Sequence, residues 1–267
     1  GIDVQVLYPT LFLGSVSTNP EIEYALARSY NRWMGARSDE SHGRLRWVLI
    51  PPIMSLELVE EEIAYGAQHG ACGVLKKGLE AGGLPAGHEY FDRLYQCASD
   101  AGLPVCVHIG TGDPAFLDPT VSQPPVALHR LPPIDAFISL VLERTPDKFP
   151  NLRVGFIEAL SSWVPFAVAE LRSRAERIPW LNLDFSPTVV QDSRFYIACQ
   201  TQEDIPYIAT YTGPANLVIG TDYGHADQSA EINALSVLKE QAKQGALEIS
   251  LADRIIGPNA SALYGIH

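Results

Sequence analysis

Cysteine is scarce in this chain and never closely paired. There are four, Cys72, Cys97, Cys106 and Cys199, with no C-x-x-C among them, so spacing suggests neither a disulfide framework nor a thiolate metal cluster. Cys106 lies inside an apolar run, where a reduced, buried thiol is expected, and that suits a reducing cytoplasm. Long apolar runs are missing as well. None approaches the roughly 18 residues that span a bilayer, and no secretory signal opens the sequence. Positive charge is in deficit: 19 Lys and Arg face 31 Asp and Glu, for a net charge of −12. A surface of that sign repels nucleic-acid phosphates and anionic lipid, which removes both from the expected partners. It does not exclude an acidic substrate, because a bound metal can dominate the field inside a site. No Gly-rich phosphate loop follows any apolar run, and no internal repeat or low-complexity tract is present.

What the sequence does contain is alternation. Hydrophobic residues make up 46% and charged residues 19% of 267, enough for a sizeable core in one domain over residues 1–267. Short apolar runs at Val4–Tyr8, Arg46–Ile50, Gly73–Lys76, Val105–Ile109, Arg153–Ile157, Phe195–Cys199 and Leu217–Gly220 read as strands covered on both faces. Helical patterns separate them, at Glu21–Gly35, Leu56–His69, Glu89–Ala101, Ile134–Arg144, Val164–Ile178, Glu203–Thr210 and Ser229–Gln244. Asn19 before Pro20 caps the first, and Ser55 is placed to cap the second. Seven strand–helix units predict an α/β fold, a (β/α)8 TIM barrel. The eighth unit, the barrel's first βα unit, is expected to precede Gly1. A doubly wound open sheet is the alternative. The proline-rich stretch Thr111–Pro133 reads as a loop over the barrel mouth.

Barrels of this kind place their chemistry at the C-terminal ends of the strands. Four runs end on notable residues: P-V-C-V-H-I-G on His108, R-V-G-F-I-E on Glu158, N-L-V-I-G-T-D-Y-G-H on Asp222 and His225, and G-V-L-K-K-G on Lys76 and Lys77. One carboxylate at a strand end is often only a helix cap. His, Glu and Asp at three strand ends together match the neutral imidazole and carboxylates that a divalent ion requires. Asp227 and Glu231 read as a cap and a first-turn acid of the helix from Ser229. Lys76 or Lys77 could bridge two metals as a carboxylated lysine, but pairing with a substrate carboxylate or facing water is the simpler reading. His88 reads as a loop residue, His42, His69 and His129 carry no motif, and Trp163 fits a pocket wall or the core equally well.

The stretches G-I-D-V-Q-V-L-Y-P-T, L-P-V-C-V-H-I-G, K-F-P-N-L-R-V-G-F-I-E, L-V-I-G-T-D-Y-G-H and I-I-G-P-N-A-S-A-L-Y-G-I span the chain. Together they resemble the amidohydrolase-related family of the amidohydrolase superfamily, which includes aminocarboxymuconate semialdehyde decarboxylase and the resorcylate-type decarboxylases. The resemblance implies a divalent metal, Zn or Mn, with His108 as a ligand and Asp222 as ligand and general base. It implies hydrolysis or decarboxylation of a small organic acid through a metal-activated water. Two departures stand out. The family's H-x-H after its first strand is not in this chain, and Glu158 stands where decarboxylating members carry His. That favours Glu158 as an extra ligand, with His225 as a further ligand or proton carrier. A set so rich in carboxylates also admits two Fe and a non-heme diiron, O2-dependent monooxygenase, the alternative reading. The resemblance leaves a homodimer open as the assembly.

Overall fold

The computed structural model describes residues 2–80, 82–111, 126–225 and 230–266. The chain divides into two compact units, Gly1–Arg153 and Val154–His267.

In the first unit the strands are β1 (Gln5–Leu7), β2 (Leu45–Leu49), β3 (Ala71–Leu79) and β4 (Val105–Thr111). They pair in chain order and all in parallel. Helices α1 (Pro20–Glu40), α2 (Val59–Gln68) and α3 (Asp92–Asp100) connect them. After β4 come α4 (Val126–His129), α5 (Leu131–Leu142) and α6 (Thr145–Lys148). The first six residues of β3 are all buried, so it is covered on both faces as its apolar run requires. Asn31, inside α1, acts as a substitute strand at the end of β2: its amide donates to the Ile50 carbonyl and accepts from the Ile50 N–H, both at 2.9 Å. The same side chain donates to Glu62, a fully buried α2 carboxylate that Arg32 clamps through two nitrogens at 2.9 and 3.0 Å. Charge-assisted bidentate bonds of this kind make the α1–α2 contact directional where apolar packing alone would not. Gly78 is required for close approach, since a Cβ there would lie 2.1 Å from the Pro132 backbone of α5.

The second unit holds β5 (Val154–Ile157), β6 (Phe195–Cys199) and β7 (Leu217–Ile219), again parallel and in chain order. Around them lie α7 (Val164–Arg177), α8 (Val189–Asp192), α9 (Ile205–Thr212), α10 (Ala234–Lys243), α11 (Ile249–Ile256) and α12 (Pro258–Tyr264). Phe156 of β5 meets Trp163 and Phe195 edge to face, with ring centroids 5.7 and 5.3 Å apart. Burying each of these rings stabilises the unit by about 2–3 kcal/mol. Seven parallel strands among the described residues, each followed by helix, form the α/β framework of the TIM-barrel type. A doubly wound sheet would reverse strand order part-way, and neither unit does.

Several expectations change. Asn19 caps α1 as predicted, accepting from the Glu21 and Ile22 N–H groups, but Ser55 makes no side-chain cap bond. Residues 126–133 are largely helical rather than loop. Pro132 and Pro133 sit in the first turn of α5, where a missing N–H costs no helical bond, so proline content misled there. Residues 112–125 of the expected mouth loop lie outside the described residues. The last long helix begins at Ala234, five residues later than its polar lead-in suggested, so Glu231 is not in its first turn. Asp227 lies outside the described residues. All four cysteines are free, and Cys72, Cys106 and Cys199 are buried. No described helix is long and apolar enough to cross a membrane.

Candidate active site

His108 sits on β4 and is 3% exposed. Its Nδ1 lies 3.2 Å from the Ile109 carbonyl oxygen, and its ring packs against that of Tyr8, centroid to centroid 5.3 Å. A carbonyl can only accept, so Nδ1 carries the proton and the lone pair of the neutral ring lies on Nε2. This is the second-sphere arrangement that prepares an imidazole as a metal ligand.

Lys76 and Lys77, on β3 beside His108 in the register, part company. Lys76 is fully buried: its Nζ is 3.6 Å from Glu80 Oε1 and 3.7 Å from the centre of the Phe91 ring. Burial pulls its pKa down to about 8, against the opposing pull of Glu80. Exposure to water does not describe it. Lys77 lines a narrow cavity at the ends of β2 and β3 with Glu23, Glu80, Ile50 and Met54. Burial raises the Glu23 pKa, opposed by the Met54 N–H and by Lys77.

In the second unit the chain turns sharply after β5 and after β7. Glu158 (φ 62°) and Leu160 (φ 64°) are left-handed, and so is Asp222 (φ 47°). Asp adopts that conformation readily, whereas Glu and Leu pay about 1 kcal/mol or more each, and such strain gathers at functional turns. The Asp222 carboxylate brackets His225: Oδ1 is 2.8 Å and Oδ2 3.0 Å from Nδ1. As at His108, an oxygen partner on Nδ1 leaves the lone pair of the neutral ring on Nε2. Both side chains are partly exposed. Glu231 has a different task from the helix cap expected of it. Its carboxylate accepts from the Thr201 hydroxyl, its N–H donates to the Thr221 carbonyl, and it lines a polar cavity of about 180 Å³ with Gln200 and Gln202. Trp163 is buried against Phe156 and donates to the Leu160 carbonyl at 2.8 Å, so it belongs to the core. His88 caps a short 3-10 turn by accepting from the Tyr90 N–H.

Among the described residues no group of three or more His, Cys, Asp and Glu is drawn together as a ready-made metal cage. Taken residue by residue the donor chemistry suits a divalent ion: an oxygen lies against Nδ1 of His108 in the first unit, and in the second unit the Asp222 carboxylate orients His225. Sequence reasoning missed Glu203, the first of two adjacent acids after β6, whose carboxylate accepts from the backbone N–H groups of Ser161, Ser162 and Gln200 and from both serine hydroxyls. Nothing in its local sequence signals this, because four of those donors lie more than 40 residues away.

The family model described as Amidohydrolase matches residues 8–266. The chain belongs to the amidohydrolase family. It is accordingly an enzyme, of hydrolase or carboxy-lyase type, as the resemblance implied. Among solved structures, an amidohydrolase from Mycobacterium avium subsp. paratuberculosis K-10 superposes with a TM-score of 0.81 at 21% identity, covering 98% of this chain and 71% of that one. A 5-carboxyvanillate decarboxylase from Sphingomonas paucimobilis gives 0.78 at 16%, covering 99% and 79%. A dihydroxybenzoic acid decarboxylase from Polaromonas sp. JS666, solved with manganese and 2-nitroresorcinol, gives 0.74 at 15%, covering 100% and 82%. At these identities the likeness establishes the fold of this amidohydrolase. No curated protein sequence matches the chain. None of the three structures is described as an oxygenase or an iron protein, so nothing in them supports the two-iron alternative.

Proposed function

We propose that this amidohydrolase-family enzyme is a metal-dependent carboxy-lyase or hydrolase acting on a small organic acid. His108 and Asp222 would hold a divalent ion, with Glu158 and His225 as further ligands or proton carriers. When bound, such an ion supplies Lewis-acid polarisation of a carboxyl oxygen and acidifies water. The observation that carries the reading is the Asp222–His225 pair at the end of β7, with 2.8 Å between carboxylate and ring nitrogen. Asp222 fixes the His225 tautomer and stabilises the imidazolium that forms when Nε2 takes a proton. That proton can then be given to carbon as CO2 departs, or to a leaving group in hydrolysis. The Nδ1 bond to Ile109 prepares His108 as a ligand in the same way.

The decarboxylases among structures of this fold favour loss of CO2, and one of them carries manganese. Glu158 favours hydrolysis, because a carboxylate at that position suits activation of water better than protonation of carbon. The test is a two-product assay. Mn²⁺-loaded enzyme is given 5-carboxyvanillate and dihydroxybenzoates, and separately a panel of small carboxylic amides and esters. Metal-dependent turnover releasing CO2 or free acid is expected. Turnover that survives full metal removal would overturn the proposal.

A further inference from the structure

The turn after β5 is held by a residue that sequence reasoning did not single out. Ser161 and Ser162, directly after the left-handed Glu158 and Leu160, present two N–H groups and two hydroxyls to one carboxylate, that of Glu203. The distances run from 2.5 to 2.8 Å for the shorter bond of each donor. The same carboxylate accepts the Gln200 N–H at 2.9 Å, so the turn after β5 is tied to the segment leaving β6. Trp163 completes the knot by donating its indole N–H to the Leu160 carbonyl. A strained turn persists only where its surroundings over-determine it, and here an anion receiving five donors does so. What the turn carries at its start is Glu158.

We propose that Glu203 is the positioning residue for Glu158: its carboxylate locks the 158–163 turn and thereby aims the Glu158 side chain. The inference rests on the reading of Glu158 as a metal ligand. Glu203 itself touches no reacting atom. Its alternative role is purely structural, an anion before the N-terminus of α7. A residue that supports a ligand costs metal affinity of about 10- to 100-fold when altered, whereas a structural cap lowers stability without that selectivity.

A double-mutant cycle separates the two. Full-length wild type, Glu203→Gln, Glu158→Gln and the double variant are titrated with Mn²⁺, with free Mn²⁺ read by electron paramagnetic resonance well below each variant's unfolding temperature. An amide in place of the Glu203 carboxylate would turn an NH2 group toward N–H donors and release the turn. Glu203→Gln is expected to weaken Mn²⁺ about tenfold and to add nothing in the Glu158→Gln background. Ser162→Ala, which removes one hydroxyl bond and leaves the rest, should weaken binding in the same direction by a smaller factor and covers the case in which Glu203→Gln does not fold. Equal losses from Glu203→Gln with and without Glu158, or wild-type affinity in both Glu203→Gln and Ser162→Ala, would overturn the assignment of Glu203 while leaving the metal reading intact. A wild type that binds no Mn²⁺ would overturn the metal reading, and this inference with it.

Discussion

Lys76→Met should flatten the alkaline limb of the stability profile. Lys76 is fully buried, and removal from water is the largest influence on it, lowering its pKa from 10.5 to about 8. Glu80, 3.6 Å away, and the Phe91 ring under the ammonium resist that shift without cancelling it. A folded pKa below the unfolded one means that folding disfavours the charged amine. The penalty is fully present below about pH 8 and, for a pKa moved from 10.5 to about 8, corresponds to about 3 kcal/mol. Between about pH 8 and 10.5 the unfolded chain still binds this proton and the folded chain does not, so the wild type gains stability as pH rises through that window. Met cannot titrate. The constant cost of removing one Glu80 partner shifts the variant's whole curve, and the Tyr and Cys groups common to both proteins cancel in the difference. Urea unfolding of the two proteins from about pH 7 to about pH 11 should therefore show the stability of Lys76→Met relative to wild type falling by about 3 kcal/mol across that range. Parallel curves would mean that Lys76 is charged and well solvated in the fold, and the burial argument would be refuted.

Asp222→Asn should lower turnover at least about a hundredfold, because an amide lacks the negative charge that stabilises the His225 cation and can turn NH2 instead of oxygen toward Nδ1. The pair is partly exposed, so thermal denaturation should change by no more than about 1 kcal/mol; unchanged turnover would remove Asp222 from the chemistry. Glu62→Ala should cost about 3–5 kcal/mol in urea unfolding, since it strands the buried Asn31 amide and the Arg32 guanidinium. A loss under about 1 kcal/mol would show that water replaces the carboxylate. Asn19→Ala should cost about 1 kcal/mol by removing the acceptor of the Glu21 and Ile22 N–H groups, read by the same titration.

The strands were legible because they are buried on both faces, which writes continuous apolar runs into the sequence. Phe195–Cys199 has the expected bounds, and the other six differ by a few residues at their ends. Helix bounds were less legible. Helix α1 runs on to Glu40, five residues past Gly35, because a helical glycine is tolerated, and here its hydrogen lies where a Cβ would meet Tyr65 Oη at 2.5 Å. Polar residues closing apolar runs marked His108, Glu158 and Asp222, and spacing added His225, whose contact with Asp222 within one turn of chain is a local event. Glu203 and Glu62 could not be found that way. Each is an ordinary acid whose partners are brought to it by tertiary structure, 41 and 42 residues away for Glu203 and about 30 for Glu62. The two adjacent lysines of β3 read alike in sequence, and only packing separates the buried Lys76 from the cavity-lining Lys77.

The most direct test of the central claim is elemental analysis of the purified full-length enzyme beside its Asp222→Asn variant. One Zn or Mn per chain in the wild type, lost or much reduced in the variant, is the predicted result. Two Fe per chain, or a metal-free wild type that turns over carboxylic substrates at full rate in the presence of chelator, would contradict it.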